Sequence, residues 1–469
     1  MRKFVNDVTI QNAYMQALEI IENVGVRFES EAARELFKNR GARIEDDKVF
    51  ITRYLMEEAL KATPKQDYSV PAGKRVVAAT PFSNAPFILD DDTGAIRRCN
   101  IGDAVKLYQI NETSSLYECA NPGCADPVGN DAPDHFVAQM AMVLKYSDKY
   151  PSIGLRATGS NSRNGDVYGS ARRAFRLARE LYDVWDEPVM TQGICPNPPL
   201  AYDRECLDNL NAAIDEKQAI SIFPCSVGFM TGPETIMGIV IHDFAMSLAG
   251  LAFIQLKSPG HPTSLCDFSS ISDIRTLQPN YGSAECVFIQ VIFYELCKFL
   301  SIPCVICGSY GDGTAFDYQA GMEAMLTTML SFSLTEVNEV WCYPGILAGF
   351  ACGSFQKAIL DEEMMRYSNR MLQGTDMTID PKLPEILAAG QAAGSFLGIG
   401  SMDTYRRDNY LTKIFNKWGI AQADNAEKTD LAYKVQQVLE SRIAAYQLPE
   451  RSAEQKKLLQ PHLPSQCQY

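Results

Sequence analysis

The side chains able to do acid–base, nucleophilic or metal chemistry are present in this sequence but do not fall into a reactive pattern. The four histidines, His135, His242, His261 and His462, are scattered, and neither H-x-x-x-H nor H-E-x-x-H occurs, so no metal site is expected. Cys304 and Cys307 have C-x-x-C spacing. On a strand, residues three apart point to opposite faces, which favours two buried thiols over a redox or zinc pair. Asp361-Glu362-Glu363 reads as a solvated helix face or a subunit contact. Asp317 precedes a helical run and reads equally as an N-cap or a site residue. Asp312, in Gly311-Asp312-Gly313, suits a turn and stands with Asp317 as a candidate catalytic carboxylate. Neither G-x-G-x-x-G nor a P-loop is present.

Around these residues are 469 positions, 46% hydrophobic and 21% charged, enough for one large barrel with terminal additions or for two domains. A net charge of −14 argues against nucleic acid, whose phosphates require clustered Lys and Arg. The opening Met1-Arg2-Lys3-Phe4-Val5 lacks an apolar signal segment, and no stretch reads as a membrane span. The most apolar one, Ile236 to Leu256, is interrupted by His242, Asp243 and Gly250 and reads as a buried helix. Fourteen cysteines without small-scaffold spacing imply reduced thiols, so a cytoplasmic chain is expected.

Three helical patterns open the chain, at Val5 to Asn23, Glu31 to Arg40 and Thr52 to Lys61. Short β-like runs follow at Val76 to Ala79 and Phe87 to Leu89. From about residue 115, apolar runs alternate with amphipathic helices: Leu116 to Ala120, Ser152 to Ala157, Pro188 to Ile194, Ile220 to Ser226, Thr263 to Asp267, Cys304 to Gly308, Val337 to Tyr343 and a weaker Ser395 to Ile399. That alternation predicts an α/β fold, a (β/α)8 TIM barrel with an N-terminal helical cap and a C-terminal helical extension. The expected divisions are a cap over 1–70, a β-containing insertion over 71–114, the barrel over 115–402 and the extension over 403–469, its tail beyond Leu448 loosely held. A barrel does its chemistry at the carboxyl ends of its strands. Asn121, Thr158, Gln192, Cys195, Ser226 to Phe229, Asp267 to Ser269, Ser309 to Asp317 and Tyr343 to Phe350 are therefore the positions of interest.

Those segments resemble the trimethylamine methyltransferase (MttB) superfamily of corrinoid-dependent methyltransferases, in order along nearly the whole chain. The matching blocks include Ala17 to Phe28, Phe87 to Gly94 with Arg97 and Asp103, Pro199 to Asp203, Thr231 to Glu234, Leu248 to Gly250, Pro259 to Pro262, Ser283 to Glu285, Asp317 to Glu323 and Asp361 to Glu363. The resemblance implies a TIM barrel, a methylamine-type donor and a separate corrinoid protein carrying the cofactor, with none held tightly by this chain. The family's trimethylamine-specific members carry pyrrolysine on a loop placed near Ser309 to Phe316, where this sequence has standard residues. That points to the branch that demethylates betaine-type quaternary amines. Gln278-Pro279-Asn280-Tyr281-Gly282 departs from the family's pattern and is expected to shape specificity.

A quaternary ammonium leaves as a neutral tertiary amine, so its demethylation by a Co(I) corrinoid calls for alignment and desolvation rather than a general acid. Recognition of such a cation calls for aromatic faces, worth about 0.5–2 kcal/mol each. The candidates for the substrate pocket are Tyr343 and Phe350, followed by Phe87, Phe229 and Phe316, with Gln192 and Ser226 as polar lining. Each of these aromatics has an alternative place in ordinary core packing. A homo-oligomer is expected. The rival readings are a barrel hydrolase using paired carboxylates such as Asp267 and Asp317, and a non-catalytic betaine-binding protein.

Overall fold

The computed structural model describes residues 5–70, 76–90, 93–123, 127–151, 156–422, 424 and 430–469. Eight parallel strands occur in chain order: Val76–Ala79, Cys119–Ala120, Tyr150–Pro151, Thr191–Ile194, Ala219–Ile222, Thr263–Leu265, Val305–Gly308 and Glu339–Cys342. A helix follows each one: Ile101–Glu112, His135–Tyr146, Val167–Tyr182, Arg204–Asp215, Ile236–Lys257, Ala284–Leu300, Tyr318–Ser333 and Phe355–Leu372. All eight helices start the same way. Asn100, Asp134, Asp166, Asp203, Thr235, Ser283, Asp317 and Ser354 each accept a hydrogen bond from the backbone N–H three residues on, which satisfies a donor that a bare helix end would leave orphaned.

The strands form two parallel sheets. The five-stranded one runs Val305–Gly308, Glu339–Cys342, Val76–Ala79, Cys119–Ala120, Tyr150–Pro151, and the three-stranded one runs Thr263–Leu265, Ala219–Ile222, Thr191–Ile194. A single parallel bridge, Leu265 to Cys304, joins them on one side. On the other side no ladder connects Tyr150–Pro151 to Thr191–Ile194 among the described residues. Among the described residues the fold is thus mixed α/β, with two parallel sheets linked on one side. Residues 152–155 of the expected Ser152 to Ala157 strand lie outside the described residues.

Two strand assignments change. Val76–Ala79, expected in an insertion, is the first strand, paired between Glu339–Cys342 and Cys119–Ala120. Ser395 to Ile399 is not a strand; three glycines within seven residues, Gly394, Gly398 and Gly400, suit turns. The rest of the 71–114 segment, Phe87–Leu89 and Ile96–Arg98, joins Ile346–Leu347 and Cys352–Gly353 in a small four-stranded sheet. That sheet is made by the loops after the first and eighth strands.

The opening helices fall at Asp7–Glu19, Glu31–Asn39 and Arg53–Ala62, close to their expected limits. Phe28, in the short strand Val26–Phe28 between the first two helices, stacks on Tyr202 at 5.1 Å, and both Phe28 and Phe37 lie 6.1 Å from Phe253 in the helix Ile236–Lys257. Ile236–Lys257 is long and apolar enough to cross a membrane, despite its interruptions, but 83% of its most apolar stretch is buried in the fold. The tail beyond Leu448 is held rather than loose. Lys145 Nζ donates to the Cys467 and Gln468 carbonyls, and Leu459, Leu463 and Cys467 are buried.

Gly250 marks the tightest helix contact with a chemical consequence. A Cβ there would lie 2.0 Å from the Tyr202 hydroxyl, which donates to the Met246 carbonyl at 3.0 Å. Gly250→Ala is therefore expected to lower stability by about 1–3 kcal/mol through overpacking. A denaturant midpoint equal to the parent's would contradict that contact.

Candidate active site

Five rings gather at the carboxyl ends of the sixth, seventh and eighth strands. Tyr343 directly follows Glu339–Cys342, Tyr310 lies two residues past Val305–Gly308, and Phe268 lies three past Thr263–Leu265. Tyr281 is delivered by the hairpin Ile271–Asp273 with Gln278–Asn280, and Phe350 by the loop after Tyr343. Nine of the pairs among them have centroids between 4.9 and 6.4 Å, most of them edge-to-face. Tyr310 and Tyr343 are buried behind, while Phe268, Tyr281 and Phe350 keep part of their surface open. Burial pushes the phenols of Tyr310 and Tyr343 well above their usual range, so both are neutral. The Gln290 amide donates to the Tyr310 hydroxyl, and Cys307 Sγ lies 3.6 Å from that of Tyr343.

The loops that carry these rings are fixed by carboxylates. Asp312 accepts from the backbone N–H groups of Tyr281 and Gly282 at 3.0 and 2.6 Å. Burial nevertheless raises its carboxyl above the ordinary value. The Asp312 and Gly313 N–H groups in turn donate to Glu323 at 2.7 and 3.0 Å. Asp312 therefore positions Tyr281 rather than standing free in a flexible turn. Phe350 has φ of 73°. A bulky residue in the left-handed region costs on the order of 1–3 kcal/mol and persists where its surroundings hold it; here four rings do so.

Beside the rings, after the fifth and sixth strands, is a buried polar group. Asp243 Oδ1 accepts from Ser226 Oγ and from His242 Nδ1, the latter at 2.8 Å. Among the described residues, the far oxygens of Asp243 and Asp267 and His242 Nε2 have no hydrogen-bond partner. Burial, reinforced by the Asp243 charge, drives the Asp267 carboxyl well above the usual range. Ser226 approaches the same imidazole nitrogen that faces Asp243, at 3.4 Å. The ring cannot relay a proton from serine to aspartate across its two nitrogens, so no Ser-His-Asp triad is present here.

The sign of the Asp267 shift has a measurable result. A carboxyl raised in the folded state contributes stability that is complete below about pH 4 and is lost as pH rises through the folded value. Asp267→Asn fixes the neutral form. Its stability relative to the parent is expected to be more favourable at about pH 8 than at about pH 5; an equal difference at both would mean the carboxyl is charged throughout.

Of the residues singled out in the sequence, the structure brings Tyr343 and Phe350 together, at 5.3 Å. Asp312 holds the Tyr281 loop and Ser226 lies beside the rings; the others are not part of the cluster. Phe87 is on the small sheet, 38% exposed, with Arg98 5.2 Å over its ring, so the chain's own cation occupies that face. Phe229 is 70% exposed on the loop after the fifth strand. Phe316 lines a separate apolar cavity of about 550 Å³ with Met325, Leu360, Tyr367 and Phe415. Asp317 is a helix cap, its carboxylate taken by the Ala320 N–H at 3.1 Å. Gln192 is buried in the fourth strand, its amide donating to the Gly193 carbonyl at 3.0 Å, and Ser226 serves Asp243. Asp361, Glu362 and Glu363 are buried rather than solvated, paired respectively with Lys357, with Arg366 and Arg442, and with the Tyr410 hydroxyl. Cys307 meets Cys266 at 3.4 Å while Cys304 is linked to Cys297, as strand alternation requires. Phe268, Tyr310 and Tyr281 escaped the sequence reading as ring partners. The signal was an aromatic within three residues of a strand end, and for Tyr281 the unusual Gln278 to Gly282 segment.

No group of three His, Cys, Asp or Glu side chains among the described residues stands ready to hold a metal ion. Across the whole chain, proline betaine:corrinoid methyltransferase of Eubacterium limosum is 32% identical, covering 98% of this chain and 97% of that one. L-carnitine:corrinoid methyltransferase of the same organism is also 32% identical, over 98% and 96%. Glycine betaine methyltransferase of Desulfitobacterium hafniense is 28% identical over 83% and 81%. Among solved structures, monomethylamine methyltransferase of Methanosarcina barkeri covers 95% of both chains with a TM-score of 0.48 at 10% identity. Residues 3–464 match the model of the family described as trimethylamine methyltransferase (MTTB), and the chain belongs to that family.

Proposed function

We propose that this chain is a methyltransferase that moves a methyl group from a betaine-type quaternary amine to the Co(I) corrinoid of a separate corrinoid protein. The observation that carries the proposal is the five-ring cluster at the strand ends, in a chain 32% identical to relatives named for proline betaine and carnitine. The corrinoid, held by the partner protein and not by this chain, supplies the nucleophile. The open faces of Phe268, Tyr281 and Phe350 hold the trimethylammonium end, and Tyr310 and Tyr343 stiffen them from behind. Asp312 fixes the Tyr281 loop.

Positive charge leaves the nitrogen as the methyl departs, so attraction by the rings must be moderate. Excluding water and aligning the N–CH3 bond are the larger contributions. In this reading the eight strands close as a (β/α)8 barrel, and the protein works in the cytoplasm as a homo-oligomer. The hydrolase alternative needs two facing carboxylates, and Asp317 is committed to a helix end. A donor panel with reconstituted Co(I) corrinoid protein, followed by the corrinoid's absorbance, tests the proposal. Glycine betaine, proline betaine, carnitine or γ-butyrobetaine should outrun trimethylamine; trimethylamine reacting faster than all four would overturn it.

A further inference from the structure

We infer that residues 374–420 form the surface through which one copy of this chain packs against another, an assignment that rests on the homo-oligomer reading above. After the helix Phe355–Leu372 the chain leaves the barrel for an excursion that includes the helices Leu383–Ala393 and Met402–Asp408. Between residues 374 and 413 only Gly390 is buried, and the ring against it is the excursion's own Phe396. Eleven large apolar side chains from Met377 to Ile420 are at least 46% exposed, with Ile379, Leu397 and Ile420 at 85%, 93% and 95%.

Helices of 11 and 7 residues are too short to persist in water on propensity alone and draw their stability from tertiary packing. This chain provides little, so the cover must come from outside. Eleven such side chains are a large share of the roughly 20–30 residues that each partner contributes to a standard interface.

Charge identifies the occupant as a second copy. The chain carries −14 overall, so two copies repel over most of their surfaces. Residues 374–420 are neutral as a set, with Asp376, Asp380, Glu385, Asp403 and Asp408 balanced by Lys382, Arg406, Arg407, Lys413 and Lys417. The half up to residue 400 carries three acids and one base, and the half beyond it two acids and four bases. An antiparallel two-fold pairing of identical segments lays each half against its opposite, apart from Arg407 and Asp376, which meet at 3.8 Å within one copy.

The excursion leaves Phe355–Leu372 at the end about 27 Å from the strand ends and folds back along that helix, where the Tyr410 hydroxyl donates to Glu363 and Phe415 packs on Tyr367 at 5.3 Å.

Light scattering on the full-length chain without any corrinoid protein tests the inference. The parent is expected at a multiple of 52.0 kDa, and the double variant Ile379→Asp/Leu397→Asp at the monomer mass with an unchanged circular dichroism spectrum. Both side chains are almost fully exposed in the single chain, so the substitutions disturb no internal packing. The charge reversal Arg406→Glu/Lys417→Glu should also lower the associated fraction. A monomeric parent overturns both the inference and the homo-oligomer reading. A parent that associates while both variants keep its mass overturns the inference alone, and so does an excursion protected only when the corrinoid protein is added.

Discussion

Replacing Phe268 and Phe350 together by Ala is expected to weaken binding of the cationic donor by about 3 kcal/mol, on the order of a hundredfold. Phe350→Ala alone should cost roughly 1–2 kcal/mol. The two rings touch every other member of the cluster, at 4.9 Å from each other, and both are partly exposed. The diagnostic comparison is a neutral isostere of the donor with carbon in place of nitrogen, whose binding should change much less, because it has no charge for the rings to attract. Calorimetry with both ligands on folded protein checks this. Equal losses for the two ligands would make the cluster an ordinary apolar wall. Tyr343 needs a different probe: it is buried, and truncating a buried aromatic costs about 3–5 kcal/mol of stability, which mimics a binding defect.

Lys357→Met is expected to destabilise the fold by about 3–5 kcal/mol, because it leaves the Asp361 carboxylate buried without its partner. The two groups meet at 2.7 Å with side chains only 3% and 4% exposed, and Asp361 also accepts from the Gly345 N–H at 2.8 Å. Gly345 lies two residues past Tyr343, so this pair anchors the start of the loop that brings Phe350 to the cluster. Replacing both charged residues by Met and Leu should restore most of the stability, since an apolar pair of similar volume removes the desolvation cost. Urea denaturation of the parent and both variants measures the effect. A single variant within about 1 kcal/mol of the parent would show that Asp361 finds another partner or takes up a proton when Lys357 is absent.

How far the sequence revealed this depends on which physical signal each feature carries. Six of the eight strands stood out as apolar runs, and the helices between them by period and by their Asn, Asp, Ser or Thr caps; Tyr150–Pro151 lies just before the expected Ser152 to Ala157 run. Val76–Ala79 was hidden because four small or β-branched residues followed by a β-rich loop look the same in an insertion as in a barrel. Tyr343 and Phe350 were legible because Pro344 and Gly345 mark the turn after a strand. Tyr281 was not, since it reaches the rings through a hairpin whose direction only the Asp312 hydrogen bonds define. The burial of Asp361-Glu362-Glu363 was invisible for a related reason: their partners Arg442 and Tyr410 lie 80 and 47 residues away.

Methyl transfer requires that the donor's methyl carbon reach cobalt. A betaine carrying a CD3 group on nitrogen, incubated with this protein and Co(I) corrinoid protein, should yield one equivalent of tertiary amine for each corrinoid that gains a methyl group. Mass spectrometry should find the deuterium on the corrinoid. Tertiary amine released without the corrinoid protein, or label absent from the corrinoid while amine accumulates, would contradict methyl transfer as the function.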